Sequence, residues 1–217
     1  MTGFKAVLFD LDGTLLNTLD DLADSMNRVL KEMDCPVHPT EAYKYFVGDG
    51  IEILARRVLP EKWRDENRIK TCVMEMRRVY GDHWADKTKP YDGIPELLSE
   101  LRVRGLRLAI LSNKPDDLTK TAVAHFLGGQ QFDHVAGACP EFSKKPDPAG
   151  AVQIGNQLGI DPEKFLYVGD TSTDMKTAVR AGMYPLGVLW GFRTSGELTE
   201  SGAKGLVKRP AEIVNYL

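Results

Sequence analysis

Cysteine is scarce in this chain of 217 residues. Its three copies, Cys35, Cys72 and Cys139, stand far apart and form no C-x-x-C pair. A disulfide framework and a cysteine-ligated zinc site are therefore not expected, which leaves reduced, mostly buried thiols. Excess charge is also missing: Lys and Arg number 28 and Asp and Glu 31, a net charge of -3. That balance gives no reason to expect nucleic acid as a partner. The basic pairs Arg56-Arg57, Arg77-Arg78 and Lys144-Lys145 are local features. No apolar run approaches the length of a bilayer crossing, so no membrane association is expected. The opening Met1-Thr2-Gly3-Phe4-Lys5 leads straight into a strand pattern and does not read as a signal peptide. Internal repeats and low-complexity tracts are absent. With 42% hydrophobic and 27% charged residues the composition is that of an ordinary globular protein. It reads as a cytoplasmic protein of one large or two modest domains, monomer or homodimer.

The most informative stretch that is present runs from Lys5 to Thr14, KAVLFDLDGT. An apolar, β-prone run leads into two carboxylates spaced i, i+2. Side chains two apart on a strand share a face, so a strand over Lys5–Asp12 puts Asp10 and Asp12 at one site with Leu11 turned away. Two like charges held close are costly unless a cation or a shared proton offsets them. The pair is thus a candidate for metal-assisted chemistry.

After this strand the pattern turns helical. Leu19, Leu22, Met26, Val29, Leu30 and Met33 recur at helical spacing, predicting a helix over Thr18–Met33. Further helices are predicted near Thr40, over Ile51–Leu59, and from Glu61 to Trp84. Residues 15–86 read as all-helical. From Lys87 strands and helices alternate. Helices are predicted over Gly93–Arg104, Pro115–Phe126, Pro146–Leu158 and Thr173–Ala181. Strands are predicted over Leu106–Leu111, His134–Cys139, Lys164–Val168, Pro185–Trp190 and Leu206–Val207, with a last helix from Pro210. Such alternation predicts an α/β fold with a doubly wound parallel sheet. The first strand is apolar enough to be buried in that same sheet. Residues 15–86 then form an all-helical cap domain inserted into a core domain of residues 1–14 and 87–217.

Open α/β sheets bind ligands beyond the carboxyl ends of their strands. The first strand delivers Asp10, Asp12, Gly13 and Thr14 there. The second delivers Ser112, Asn113 and Lys114, ahead of a helix opening at Pro115. The third is followed by Ser143-Lys144-Lys145-Pro146. The fourth delivers Gly169, Asp170 and, at a helix start, Asp174. This inventory suits phosphate and a hard divalent cation together. Mg²⁺ takes oxygen ligands and keeps several waters, and Asp10 and Asp170 are its natural side-chain ligands. Ser112 beside a helix N-terminus suits an anion, and a lysine neutralises a phosphoryl group as a point charge. An Asp can attack phosphorus and form an aspartyl-phosphate, while a second carboxylate serves as proton donor and then base. Each residue alone has a plainer explanation. Asp12-Gly13 suits a turn, Ser112 a helix cap, Lys145 a solvated surface, and Asp174 the helix dipole. Their joint placement on four strand ends is what points to a site.

These residues resemble the four motifs of the haloacid dehalogenase superfamily: Asp10 to Thr14, Ser112, Lys145, and Gly169-Asp170 with Asp174. The resemblance implies Asp10 as nucleophile and Asp12 as general acid/base. It also implies Mg²⁺ held by the Asp10 and Asp170 carboxylates and the Asp12 backbone carbonyl, with Asp174 as a supporting or water-mediated ligand. Ser112 and Lys145 would bind the phosphoryl group, with Thr14 and Asn113 nearby. Relatives that are dehalogenases or phosphonate hydrolases lack an acid at the position of Asp12, so its presence favours phosphate esters. Val47-Gly48-Asp49-Gly50, Pro90-Tyr91-Asp92-Gly93, Ser112-Asn113-Lys114-Pro115 and Trp190-Gly191-Phe192 are similar to the phosphoglycolate phosphatase branch of the superfamily. Asn17 departs from it, since many relatives carry Asp there; a role in hinging or specificity rather than chemistry is expected.

The expected function is Mg²⁺-dependent hydrolysis of a small-molecule phosphate ester, with 2-phosphoglycolate first among substrates. Backbone N–H groups at Gly48–Gly50 and the side chain of Arg57 are candidates to receive its carboxylate. Other readings are a phosphatase of a sugar phosphate, nucleotide or pyrophosphate, a sugar phosphomutase, a phospho-accepting signalling domain, or a scaffold with a vestigial site. Asp12 and the helical insertion speak against the signalling domain, and the complete residue set speaks against the scaffold.

Overall fold

A computed structural model of the protein describes residues 3–141 and 143–217. Met1 and Thr2, on which the expectation of no signal peptide partly rests, lie outside the described residues, as does Phe142. From the N-terminus the elements run β1 (Ala6–Phe9), β2 (Leu16–Asn17), α1 (Leu19–Glu32), α2 (Tyr43–Phe46), α3 (Ile51–Val58), α4 (Glu66–His83) and β3 (Lys89–Pro90). They continue with α5 (Ile94–Val103), β4 (Arg107–Pro115), α6 (Asp116–Leu127), β5 (His134–Ala138) and α7 (Ala149–Leu158). The last are β6 (Phe165–Gly169), α8 (Ser172–Ala181), β7 (Tyr184–Val188), α9 (Ser195–Glu200) and β8 (Gly205–Val207).

Among the described residues, six strands form one parallel sheet in the order β5-β4-β1-β6-β7-β8. β1 pairs with β4 on one side and β6 on the other. Its four side chains are fully buried, alternating between two cores. Val7 and Phe9 join Leu97, Leu98 and Leu101 of α5 and Val123 of α6. Ala6 and Leu8 join Ala151 and Ile154 of α7 and Ala178 of α8. Helices thus cover both faces of β1, which is why it is apolar throughout. A third core is built mainly from residues 19–80, where α1 packs on α4 and α4 on α3 through Met26, Leu30, Leu54, Val58, Ile69, Cys72 and Met76, and Phe192 joins it from outside that span. No described helix is long and apolar enough to cross a membrane.

Four expectations need correction. First, β1 ends at Phe9 rather than Asp12. Beyond it the carbonyl of Leu11 accepts bonds from the N–H groups of Thr14, Leu15 and Leu16, closing a tight turn. Asp12 therefore reaches the site by a turn and not by strand alternation. Second, residues 15–86 are not wholly helical. β2 pairs antiparallel with β3, so the outgoing and returning connections of the insertion form a small ribbon, with Asn17 opposite Lys89. Third, α4 opens at Glu66 because Asp65 caps it, accepting from the N–H groups of Asn67 and Arg68; the preceding Glu61–Trp63 is a separate single turn. Fourth, β4 extends to Pro115 with a register shift after Leu111. Ser112 accordingly sits in the strand's terminal segment and α6 opens only at Asp116. Smaller differences are an unexpected α9, a later start for α7, and 3-10 turns over Pro210–Tyr216.

Asp21 secures the returning connection. Its buried carboxylate accepts from the N–H groups of Lys87 (3.0 Å) and Thr88 (2.8 Å) and from Thr88 Oγ1 (2.7 Å). Removing it leaves these donors without a partner. Asp21→Ala is expected to lower stability by about 2–4 kcal/mol, measured by urea denaturation; a loss within error of zero would show that the clamp is dispensable.

Candidate active site

The loops after β1, β4 and β6 converge because these strands are neighbours in the sheet, and the Lys145 loop after β5 folds in beside them. At the centre, Lys145 Nζ lies 2.7 Å from Asp10 Oδ1 and 2.7 Å from Asp174 Oδ1. All three side chains are buried. Asp170 is fully buried beside them. Its Oδ1 accepts from Thr14 Oγ1 (2.9 Å) and its Oδ2 from the N–H of Phe192 (2.8 Å). Gly13 and Gly191 press on this carboxylate from two sides. A Cβ on either would lie within 2.5 Å of Asp170 Oδ2, and Gly13 adopts φ +89°. Asp174 also closes α8, since Oδ2 accepts from Thr171 N and Thr171 Oγ1 while Thr171 accepts in return from Asp174 N. One side chain thus both completes a capping box at the start of α8 and takes a place in the site.

Charge is out of balance here. Asp10, Asp170 and Asp174 offer carboxylate oxygens within 4.8 Å of one another, against the single ammonium of Lys145. Burial, followed by the charge of Asp174, raises the Asp10 carboxyl well above its ordinary value, although Lys145 opposes this. The same two causes push Asp170 up to about 7. Burial alone would lower Lys145, but Asp10 and Asp174 outweigh it and hold the ammonium charged. An oxygen-only, buried, net-negative donor set fits a hard divalent cation.

A cleft opens above this cluster. It is lined from below by Asp10, Asp12, Ser112, Asn113 and Lys114, and from the insertion by Leu22, Val47, Gly48, Gly50, Ile51, Leu54, Met76 and Tyr80. Asn113 ties the parts together: Nδ2 donates to the carbonyls of Gly48 (3.1 Å) and Lys145 (3.0 Å), and Oδ1 accepts from Lys145 N (2.8 Å). The expected residues of the strand ends therefore meet. Two expectations place residues elsewhere. Thr14 faces Asp170 rather than the cleft. Arg57 does not line the cleft. Its guanidinium is paired with Asp49 (2.5 Å) and donates to the carbonyls of Tyr45 and Phe46, because Asp49 and those carbonyls satisfy it along its own segment.

Several contributors were given no role from the sequence. Lys114 Nζ donates to both carboxylate oxygens of Asp12 (3.2 Å each) and to Tyr80 Oη (2.8 Å). Thr173 Oγ1 donates to Asp49 Oδ1 (2.6 Å) and Arg193 Nη2 to the carbonyl of Val47 (2.9 Å). Lys114 stood at a strand end with no role assigned, while Thr173 and Arg193 were marked only by their neighbours Asp174 and Trp190-Gly191-Phe192.

The family described as haloacid dehalogenase-like hydrolase matches residues 7–188. Phosphoglycolate phosphatase of Aquifex aeolicus is 32% identical over 213 residues, covering 98% of this chain and 96% of the relative. Phosphoglycolate phosphatase of Haemophilus influenzae is 30% identical over 222 residues, covering 100% and 99%. Among solved structures, a predicted phosphoglycolate phosphatase from Haemophilus somnus superposes with a TM-score of 0.90 at 28% identity, covering 100% of this chain and 99% of that one.

Asp49 supplies a pH test of the contact between insertion and sheet. Burial pushes its carboxyl up, but hydrogen bonds from Thr173 and Arg57, with the charges of Arg57 and Arg193, outweigh that and hold it below 3.8. A carboxylate lowered in the folded state contributes stability above its unfolded value, about 3.9, and loses it as pH falls through the folded value. Asp49→Asn is expected to lower Tm at pH 7, with the deficit shrinking below about pH 4. A deficit independent of pH in differential scanning fluorimetry would contradict this account.

Proposed function

The chain belongs to the haloacid dehalogenase-like hydrolases, and from that premise we propose that it hydrolyses small phosphate monoesters, 2-phosphoglycolate first among them, through an aspartyl-phosphate on Asp10. The observation that carries this reading is the buried contact of Asp10 with Lys145, at the floor of a cleft that also exposes Asp12. Asp10 attacks phosphorus as the ester oxygen leaves, and Asp12 gives that oxygen its proton. Asp12 then takes a proton from water, which attacks the phosphoenzyme and frees phosphate. Lys145 neutralises charge on the phosphoryl oxygens, and Ser112 and Asn113 line their side of the cleft.

Asp10, Asp170 and the Asp12 carbonyl would hold Mg²⁺, with Asp174 supporting through Lys145. When bound, the ion would neutralise negative charge on Asp10 and the phosphoryl group, which otherwise repel each other. We read residues 15–86 as a cap over a core of residues 1–14 and 87–217, hinged at the β2–β3 ribbon. Leu22, Val47, Ile51, Leu54 and Met76 give it an apolar underside that excludes water from the phosphoenzyme. The relatives named phosphoglycolate phosphatase support the choice of substrate. Gly48 and Gly50, which line the cleft at the start of α3, are where its carboxylate would meet free N–H groups.

A panel of phosphate esters assayed with Mg²⁺, with chelator, and with Asp10→Asn tests the mechanism. Chelation is expected to abolish turnover, and Asp10→Asn to lower kcat by about a thousandfold or more; full turnover by Asp10→Asn would overturn it. Arg57→Ala provides a separate check. Because Arg57 holds Asp49 and not the ester, KM for 2-phosphoglycolate and for p-nitrophenyl phosphate should change by the same factor. A selective rise for the carboxylated ester would return Arg57 to the substrate.

A further inference from the structure

We infer that Lys114 and Tyr80 are positioning residues for Asp12, and that the helical insertion, through the Tyr80 hydroxyl, completes the geometry for protonating the leaving group. The inference rests on the reading of Asp12 as proton donor given above. Three separate elements meet at this point. Asp12 comes from the turn after β1, Lys114 from the end of β4 and Tyr80 from α4, and all three line the cleft.

Lys114 is buried, its side chain only 5% exposed. A buried ammonium is tolerated only when its donors are satisfied. Here the two oxygens of Asp12, both at 3.2 Å, and Tyr80 Oη at 2.8 Å supply its partners. The ammonium also lies 4.6 Å from the centre of the Tyr80 ring, where a cation gains from the ring face. Equal contacts to both oxygens fix the plane of the Asp12 carboxyl about its side-chain torsion. A general acid must lie within hydrogen-bond reach of the departing oxygen, so this orientation bears on the proton transfer itself. Lys114 is in turn held by its own N–H, which donates to Ser112 Oγ (3.2 Å). Without the Tyr80 hydroxyl the ammonium loses one of its two partners and Asp12 is held less firmly. Among the described residues the hydrogen-bonded link from the insertion to Asp12 runs through Lys114, which bridges Tyr80 Oη and the Asp12 carboxylate. Proton delivery is thereby tied to the insertion's being seated over the cleft.

A contact that served folding alone would weaken turnover of every ester alike. A positioning role for Asp12 depends on the leaving group, because p-nitrophenolate departs without a proton and an alkoxide does not. The experiment measures kcat/KM, which reports the first transfer to Asp10, on p-nitrophenyl, phenyl and n-butyl phosphates with Mg²⁺ and the full chain. For Tyr80→Phe, the loss on n-butyl phosphate is expected to exceed the loss on p-nitrophenyl phosphate by about tenfold, with phenyl phosphate between. Lys114→Met should widen that gap to about a hundredfold, and Lys114→Arg should recover part of it. Equal losses across the three esters, or none with either variant, would overturn the inference. If Lys114→Met does not fold, Tyr80→Phe decides alone, since it removes only one hydroxyl. Full turnover by Asp10→Asn would instead sink the phosphatase mechanism. Uniform losses in the Lys114 and Tyr80 variants, beside an inactive Asp10→Asn, would sink only the positioning role.

Discussion

One buried ammonium facing three buried carboxylates is the constraint on which the site depends. Lys145 touches Asp10 and Asp174 at equal distance, and Asp170 adds a third negative charge that no buried lysine or arginine contacts among the described residues. Removing ions from water costs several kcal/mol each even after relaxation, so the arrangement persists only because nearly every oxygen is engaged. Thr14 and the N–H of Phe192 occupy Asp170, and Thr171 occupies Asp174. What is left over is negative charge at Asp10, whose carboxyl burial and Asp174 both drive upward. The same imbalance that raises that carboxyl would be relieved by a divalent cation, and cation binding at such a site is linked to loss of protons from its ligands.

Convergence of these charges follows from strand order. β1 lies between β4 and β6, so loops far apart in sequence leave the sheet side by side. Close approach then depends on glycine, because Gly13 and Gly191 leave no room for a Cβ against Asp170. The insertion leaves the sheet just after β1 and returns through β3, which brings its underside over the same loops. Position in the sheet, and not any property of the helices, is what makes the insertion a roof for this site.

The alternation of strands and helices, the double winding and the four strand-end clusters were legible because each rests on local periodicity or spacing. β2 and β3 were not, since two-residue strands carry no period and exist only by pairing across the 71 residues between Asn17 and Lys89. Asp12 was assigned to the right neighbourhood by the wrong geometry: the i, i+2 rule holds for a strand, whereas a turn closed on Leu11 carries it there. Arg57 shows the limit most clearly. A cation on the cleft-side helix looks like an anion site until its partner is known, and Asp49, eight residues earlier, neutralises it. Lys114 is the converse case. It sits between two recognisable motif residues and a proline, yet its work depends on Tyr80, which lies on an element with no detectable motif.

The contact between insertion and sheet divides into two chemistries. Where the segment 47–49 meets the core it is held by polar bonds. Arg193 and Asn113 reach the carbonyls of Val47 and Gly48, and Thr173 the carboxylate of Asp49. Two of these three acceptors are main-chain atoms, so the placement of the segment depends little on which side chains it carries. Where the insertion faces the cleft it is instead apolar, through Leu22, Ile51, Leu54 and Met76. An apolar lid lowers the local dielectric, which strengthens every charge interaction beneath it. Backbone latching and side-chain lining are therefore separable. Under the proposed function, residues such as Ile51, Leu54 and Met76 could change to fit a different ester while the Val47–Asp49 contacts keep the insertion in register with the sheet. On the function proposed above, substrate range would reside in the lining of the roof, and the chemistry in a floor that the roof's composition leaves unaltered.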